Sequence, residues 1–374
     1  MPPLARRNLF HDKVRLTVTL TGIVFAVVLI VVELGLFVGF TETTSSLVDH
    51  SGADLWVTSQ HVPYVELGVP FSERKLYQVR AVPGVADAQK VITRWTDWKR
   101  HDGRQESVQI VGINPDSQLA RPWNLTAGTV EDLKRPDAVI LDEIYKKKLG
   151  VSYVGELFEI RGHRARVVGF TRGIRSFTTS PYVFTTFKNA QDFATIADDK
   201  TIFILVKVAP GASVADVRQR ILDNVKDVEV FRNGEFSRMT QIYWMFTTGA
   251  GVAVLLAAVL GLIVGFVVVA QTIYATTMDH MKEFGTLKAM GAPNSYVYKV
   301  IMTQAAISAV IGYVLGMIVS GFVVHVSQEG GATILLPWQM GVGMFFLTLV
   351  MCVGAAMVSI SKVTHLDPAI VFKG

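Results

Sequence analysis

Four stretches of this chain are almost free of charge. From Leu16 to Phe40 the only acid or base is Glu33, and from Phe246 to Ile273 there is none. From Val300 to Val326 His325 stands alone, and Leu335 to Ser361 again has none. Each stretch exceeds the roughly 20 apolar residues that cross about 30 Å of hydrocarbon as a helix. Soluble domains carry about 25% charged residues, whereas this 374-residue chain has 18% and a mean hydropathy of +0.38. The chain therefore reads as an integral membrane α-helical protein with spans at 16–40, 246–273, 300–326 and 335–361. A cleaved signal peptide is the alternative for the first span, since it too begins with a basic region. Its apolar run is longer than the roughly 7–15 residues of such a segment. The following Gly39-Phe40-Thr41-Glu42-Thr43 also offers no small-x-small cleavage site.

The basic residues give an orientation. Outside segment 41–240 there are nine Lys and Arg: Arg6, Arg7, Lys13, Arg15, Lys282, Lys288, Lys299, Lys362 and Lys373. All lie in the amino terminus 1–15, the connection 274–299 or the carboxyl terminus 362–374. The short connection 327–334 has only Glu329. Four spans put the first three regions on one side, and the positive-inside rule makes that side the cytoplasm. Segment 41–240 then lies outside with the other 27 Lys and Arg, which do not conflict, since large domains translocate regardless of charge. Both termini are then expected in the cytoplasm. Tyr243, Trp244, Phe246 and Trp338 suit an aromatic belt at the outer interface.

Segment 41–240 is expected to be a folded extracytoplasmic α+β domain between the first and second spans. Strand-like runs occur at 54–58, 108–112, 138–141, 165–170, 182–185 and 201–208, rich in β-branched and aromatic residues. Helical patterns occupy 73–82 and 214–225, the latter behind Ser213 with Asp216 three residues on, as in a capping box. Each leads into an apolar run, 85–92 and 228–231, which fits a domain of two lobes.

Catalytic signatures are missing. No GxxxxGK[ST], HExxH, GxSxG or GxGxxG occurs, so ATP is not expected to bind this chain through a phosphate loop. The single cysteine, Cys352, excludes a disulfide framework and thiolate zinc sites. His163 in Arg161-Gly-His-Arg164 reads as a basic hairpin turn. Asp97, Asp102, Asp198 and Asp199 read as solvated loop acids, and Lys146-Lys147-Lys148 as a solvated helix end. A net charge of +5 without a basic cluster excludes a nucleic-acid binder. No cofactor or metal is expected.

The spans carry features of their own. Gly261-x-x-x-Gly265 and Gly312-x-x-x-Gly316 allow close helix approach, either among the four spans or at a seam between two copies. Glu33 is the only carboxylate in any span, and such a residue is costly in lipid and often functional. It also lies about two turns from the outer end, within reach of water or a neighbouring helix.

The connection between spans two and three carries a family resemblance. Thr276-Thr-Met-Asp-His-Met-Lys-Glu-Phe-Gly-Thr-Leu-Lys-Ala-Met-Gly-Ala-Pro293 resembles the cytoplasmic loop of the MacB/FtsX superfamily of ABC-transporter permeases. Glu283, Gly285, Leu287, Lys288, Ala289, Gly291 and Ala292 match its pattern, roughly R-x-x-E-[IF]-G-x-L-K-A-[LM]-G-A. Lys282 stands where a basic residue is usual, while His280 and Met281 depart from the pattern. The opening Arg15-Leu-Thr-Val-Thr-Leu-Thr-Gly and the layout of one span, a domain, then three spans resemble the DevC-type branch, which has no fused ATPase.

The resemblance implies a homodimer in which each copy docks a separate cytoplasmic ATPase through this loop, with ATP and Mg on that partner. It implies an exporter working with a periplasmic adaptor and an outer-membrane channel, this chain itself being no enzyme. The loop's own residues fit: 282–290 can form a short amphipathic helix, with Phe284 and Leu287 as apolar knobs and Lys288 at the rim. An interfacial helix on the inner leaflet is the plainer reading. The alternatives for the whole chain are an FtsX-like protein that regulates an external cell-wall hydrolase, a lipoprotein-release permease, or a membrane-anchored receptor or enzyme.

Overall fold

The computed structural model describes residues 13–178, 180–280, 283, 285–286, 290–329 and 333–364. They form two compact units. One gathers the long helices; the other comprises residues 39–251 with 331–333.

Helix α1 runs Lys13–Thr44, and the short α2 (Ser46–Asp49) turns the chain into the second unit. That unit is built on β1 (Leu55–Thr58), β2 (Phe71–Ser72), β3 (Val85–Lys99), β4 (Gln105–Ile113), β5 (Leu125–Ala127) and β6 (Ala138–Asp142). It continues with β7 (Leu157–Ile160), β8 (His163–Thr171), β9 (Tyr182–Thr186), β10 (Lys200–Thr201), β11 (Phe203–Val208) and β12 (Glu229–Arg232). Its helices are α3 (Lys75–Arg80), α4 (Lys146–Leu149), α5 (Phe187–Ala194), α6 (Val214–Asn224) and α7 (Asn233–Ile242).

The main sheet has the order β12-β1-β11-β3-β4-β9-β6-β8-β5, with β7 pairing β3 and β8. Strand β3 organises it. Over 85–91 it pairs antiparallel with β11, and over 92–99 with β4. The first half carries α3 and α6 on one face, where Leu76, Val79, Val217 and Ile221 bury against Val206 and Ala88. The second half opens into a larger core holding Trp98, Ile110, Ile140, Phe184 and Phe203. The two lobes expected from the repeated helix-then-strand pattern thus share one strand. Pairing of β4 with β9 and of β6 with β8 is parallel, so the sheet is mixed. At 161–162, Arg161 and Gly162 both take positive φ, closing a two-residue hairpin between β7 and β8. His163 therefore starts a strand. Ser213 Oγ accepts the Asp216 amide at 3.4 Å and starts α6.

The remaining long helices are α8 (Ala250–Asp279), α9 (Asn294–Glu329) and α10 (Trp338–Thr364). With α1 they are long and apolar enough to cross a membrane. They are apolar on every face: Leu256, Leu260 and Ile263 of α8 and Ile318 and Phe322 of α9 are exposed. In lipid this is the expected state of an outward face. Ile23, Val27 and Ile30 of α1 pack inward with Val269, Val300, Ile301, Ala309, Met351 and Cys352.

Helix α8 starts four residues after the apolar run at Phe246. Tyr243–Thr247 winds as a π-helix, and Gly249, at φ +75°, breaks the chain before Ala250. Pro337 precedes α10, its carbonyl accepting the Met340 amide at 3.0 Å.

Candidate functional site

The chain passes between the two units at residues 39 and 251 and again at the short segment 331–333. Where the first two of these segments enter the sheet domain, the side chains form one knot. Phe40 meets Phe177 edge-on at 5.3 Å, and Phe177 meets Trp244 at 4.4 Å. Tyr64 stacks on Tyr243 at 4.0 Å and touches Trp244 at 5.4 Å. Gln241 donates to Ser45 Oγ at 2.8 Å, tying α7 to the turn after α1. The residues read as an interfacial belt therefore differ in role. Tyr243 and Trp244 turn into the sheet domain, whereas Phe246 and Trp338 are exposed. Phe177 lies far away in sequence and supplies the ring that draws Trp244 inward.

Glu66 sits inside this knot, on the 3-10 turn Val65–Leu67, and is only 7% exposed. Trp244 Nε1 donates to its Oε2 at 3.3 Å, while Oε1 has no hydrogen-bond partner. Burial pushes its carboxyl up to about 7, and the Trp244 hydrogen bond offsets only part of that. Tyr64 is pushed up to about 12 by burial, with Tyr243 and Glu66 adding. Tyr64-Val-Glu-Leu-Gly68 carries no local signature of burial, so the sequence alone does not mark Glu66.

Within the helical unit, the two glycine pairs approach α1 closely. A Cβ on Gly312 would lie 2.4 Å from Ile23 Cγ2, and one on Gly316 would lie 2.7 Å from Val27 Cγ1. At Gly265 it would meet Ile30 Cδ1 at 2.9 Å, and at Gly261 the Cγ of Glu33 at 3.0 Å. Both pairs thus pack within one copy, and the aliphatic stem of Glu33 lies over Gly261 of α8. Thr19 and Thr276 share a hydrogen bond at 2.9 Å between α1 and α8. We expect Gly312→Ala to destabilise the detergent-solubilised chain by about 1–3 kcal/mol through overpacking. Gly321→Ala, where a Cβ meets nothing within 4 Å, is the control. Equal thermal midpoints for the two variants would contradict this seating of α1.

At the other end of α8, the connection to α9 is described in part. Lys282, Phe284, Leu287, Lys288 and Ala289 lie outside the described residues, as does the amphipathic pattern they would form. Glu283 is helical and exposed, and Gly285 is helical and buried. Met290 N donates to Thr286 O at 3.0 Å, and Gly291 follows at φ +88°. A glycine in the left-handed region ending a helical turn is a usual stop. Among the described residues no three His, Cys, Asp or Glu gather to hold a metal. Asp198 pairs with Lys188 at 2.6 Å and Asp102 with Arg100 at 3.1 Å at the surface, whereas Asp97 lies exposed on strand β3 and not in a loop.

Comparison with known proteins agrees with this layout. Residues 16–224 match the MacB-like periplasmic core domain, and residues 255–368 match the FtsX-like permease C-terminal family. A Mycobacterium tuberculosis chain described as an uncharacterised ABC transporter permease is 24% identical over 383 residues, covering 99% of both chains. The macrolide export ATP-binding/permease protein MacB of Escherichia coli is 20% identical over 98% of this chain and 59% of its own length. The crystal structure of the periplasmic region of MacB from Actinobacillus actinomycetemcomitans covers 50% of this chain and 93% of its own, at 12% identity and a TM-score of 0.39. The chain belongs to the MacB/FtsX superfamily of ABC-transporter permeases, with four membrane helices and a large α/β domain of the periplasmic type between the first and second.

Proposed function

We propose that this chain is the non-catalytic membrane subunit of an ABC exporter, working as a homodimer with a separate cytoplasmic ATPase that carries ATP and Mg. Its loop 274–299 receives the ATPase, and its sheet domain moves outside the inner membrane to drive cargo through a periplasmic adaptor and an outer-membrane channel. The observation that carries this reading is the single knot around Glu66 and Trp244, where the segments following α1 and preceding α8 are held together. Displacement of either segment would reach the core of the sheet domain through these side chains. A rigid aromatic cluster transmits displacement better than a loose linker, because packed interiors deform little. The relatives named as ABC transporter permeases and the macrolide exporter support the class.

The nine clustered Lys and Arg support cytoplasmic termini and a cytoplasmic loop 274–299. A cysteine at position 288 should accordingly resist an impermeant maleimide in intact cells. The function is tested by purification in mild detergent. An ATPase chain and a second copy of this chain should co-purify, and ATP binding should follow the ATPase. Recovery of this chain without any ATPase, or saturable ATP binding by the chain alone, would contradict the proposal.

A further inference from the structure

A cavity of about 720 Å³ lies between α9 and α10, on the outside of the helical unit. Its lining is amphipathic along its length. Lys299 is the only charged residue, and Ala306, Ile307, Val310 and Ile311 of α9 with Leu349 and Val353 of α10 make the rest largely apolar. Thr303, the one hydroxyl, is turned to its own helix and donates to Lys299 O at 2.6 Å. Among the described residues no acid lines the groove, and Lys299 is exposed without an ion pair.

The dimensions match one lipid leaflet. Lys299 immediately precedes the uncharged run of α9, so its ammonium stands at headgroup level. From Lys299 to Ile311 the helix rises about 18 Å at 1.5 Å per residue. Half of a hydrocarbon core of about 30 Å is about 15 Å. The groove therefore runs from a cation at the interface to about the bilayer centre. Ala306 opens it midway, where a larger side chain would close it.

We propose that this groove is a binding site for an anionic phospholipid, its phosphate on Lys299 and one acyl chain along Ala306, Val310, Leu349 and Val353. The uncharged run of a membrane helix would fill the apolar length and leave Lys299 without a counter-charge, whereas a phosphate with its acyl chain supplies both. The site goes beyond the exporter reading; only the choice of leaflet rests on the orientation proposed above.

The test uses the full-length chain purified from vesicles of equal parts phosphatidylglycerol and phosphatidylethanolamine, with retained lipid counted by native mass spectrometry. A lysine near the headgroups attracts an anionic lipid by about five-fold. Wild type should therefore retain phosphatidylglycerol over phosphatidylethanolamine by about that ratio. Lys299→Gln, an exposed change, should lower that ratio several-fold. Ile307→Phe and Ala306→Phe should lower total retained lipid, while Leu260→Phe on the exposed face of α8 should leave it unchanged. Equal retention of both lipids by wild type, or an undiminished preference in Lys299→Gln, would overturn the site. So would loss of the dimer mass in Ile307→Phe at unchanged lipid content, which would make the groove a contact between copies. Maleimide labelling at position 288 reports the leaflet sampled. A reversed orientation would move the site to the other leaflet and leave the Lys299 dependence intact.

Discussion

Glu66→Gln should flatten the pH dependence of the sheet domain's stability and make the chain more stable than wild type at pH 8. The carboxyl is pushed from an ordinary 4.5 up to about 7 in the folded protein. Below pH 4.5 the group is neutral in both states and costs nothing. Between 4.5 and 7 the unfolded chain has released its proton and the folded chain has kept it, so stability falls as pH rises. Above 7 the loss is complete, at about 3 kcal/mol for this separation of values. Glutamine keeps an acceptor for Trp244 Nε1 and removes the charge. Its amide takes over the unpartnered position of Oε1, at a cost of about 1 kcal/mol. A net gain of about 2 kcal/mol at pH 8 remains, worth roughly 4–8 °C in midpoint for a domain of this size. Thermal unfolding of the full-length chain in detergent, followed by tryptophan fluorescence at pH 5 and pH 8, measures it. Wild type should lose stability over that interval and the variant should not. Parallel pH profiles for the two proteins would show that the buried carboxylate is compensated by something other than Trp244.

The double substitution Phe284→Ala with Leu287→Ala should abolish transport while leaving membrane insertion and the sheet domain intact. An ATPase drives a membrane subunit only through a contact whose affinity differs between its nucleotide states. The connection 274–299 is the one between spans on the proposed cytoplasmic side, and the matched family segment covers it. Phe284 and Leu287 are three residues apart in sequence, a spacing that would put them on one face of a helix. Loss of such an apolar anchor costs about 2 kcal/mol or more, roughly thirty-fold in affinity. Glu283 is exposed and suits a rim contact that sets register more than affinity. Co-purification with the ATPase and transport should therefore fall together. Full association and transport by a double variant present at normal levels would remove the coupling assignment.

The membrane helices were legible because charge cannot hide in hydrocarbon, so its absence over a full span marks them directly. Their ends were less so. The start of α8 depends on a π-helical turn at 243–247 and on the left-handed Gly249, and an apolar run continues through both. Most strands of the sheet domain were visible in short β-branched runs such as Ala138–Asp142. The length of β3 was not, since Gln89, Lys90, Arg94 and Asp97 interrupt its apolar residues. Their pairing with β11 and β4 is what holds that stretch extended. The knot around Glu66 was illegible for a related reason. Its members come from positions 40, 64–66, 177 and 241–244, and each segment alone reads as an ordinary loop or interface. Tertiary placement turned a plain glutamate into the buried carboxylate of that knot.

Nucleotide turnover on the partner ATPase should displace the sheet domain. A spin label at Tyr153→Cys, an exposed position of that domain, reports it in a Cys352→Ala background. The dimer, reconstituted in nanodiscs with its ATPase, gives the distance between the two labels by pulsed electron paramagnetic resonance. Different distance distributions are expected in the nucleotide-free and vanadate-trapped states, and no difference when Phe284→Ala and Leu287→Ala are added. An identical distribution in every nucleotide state, from a complex that hydrolyses ATP, would contradict it.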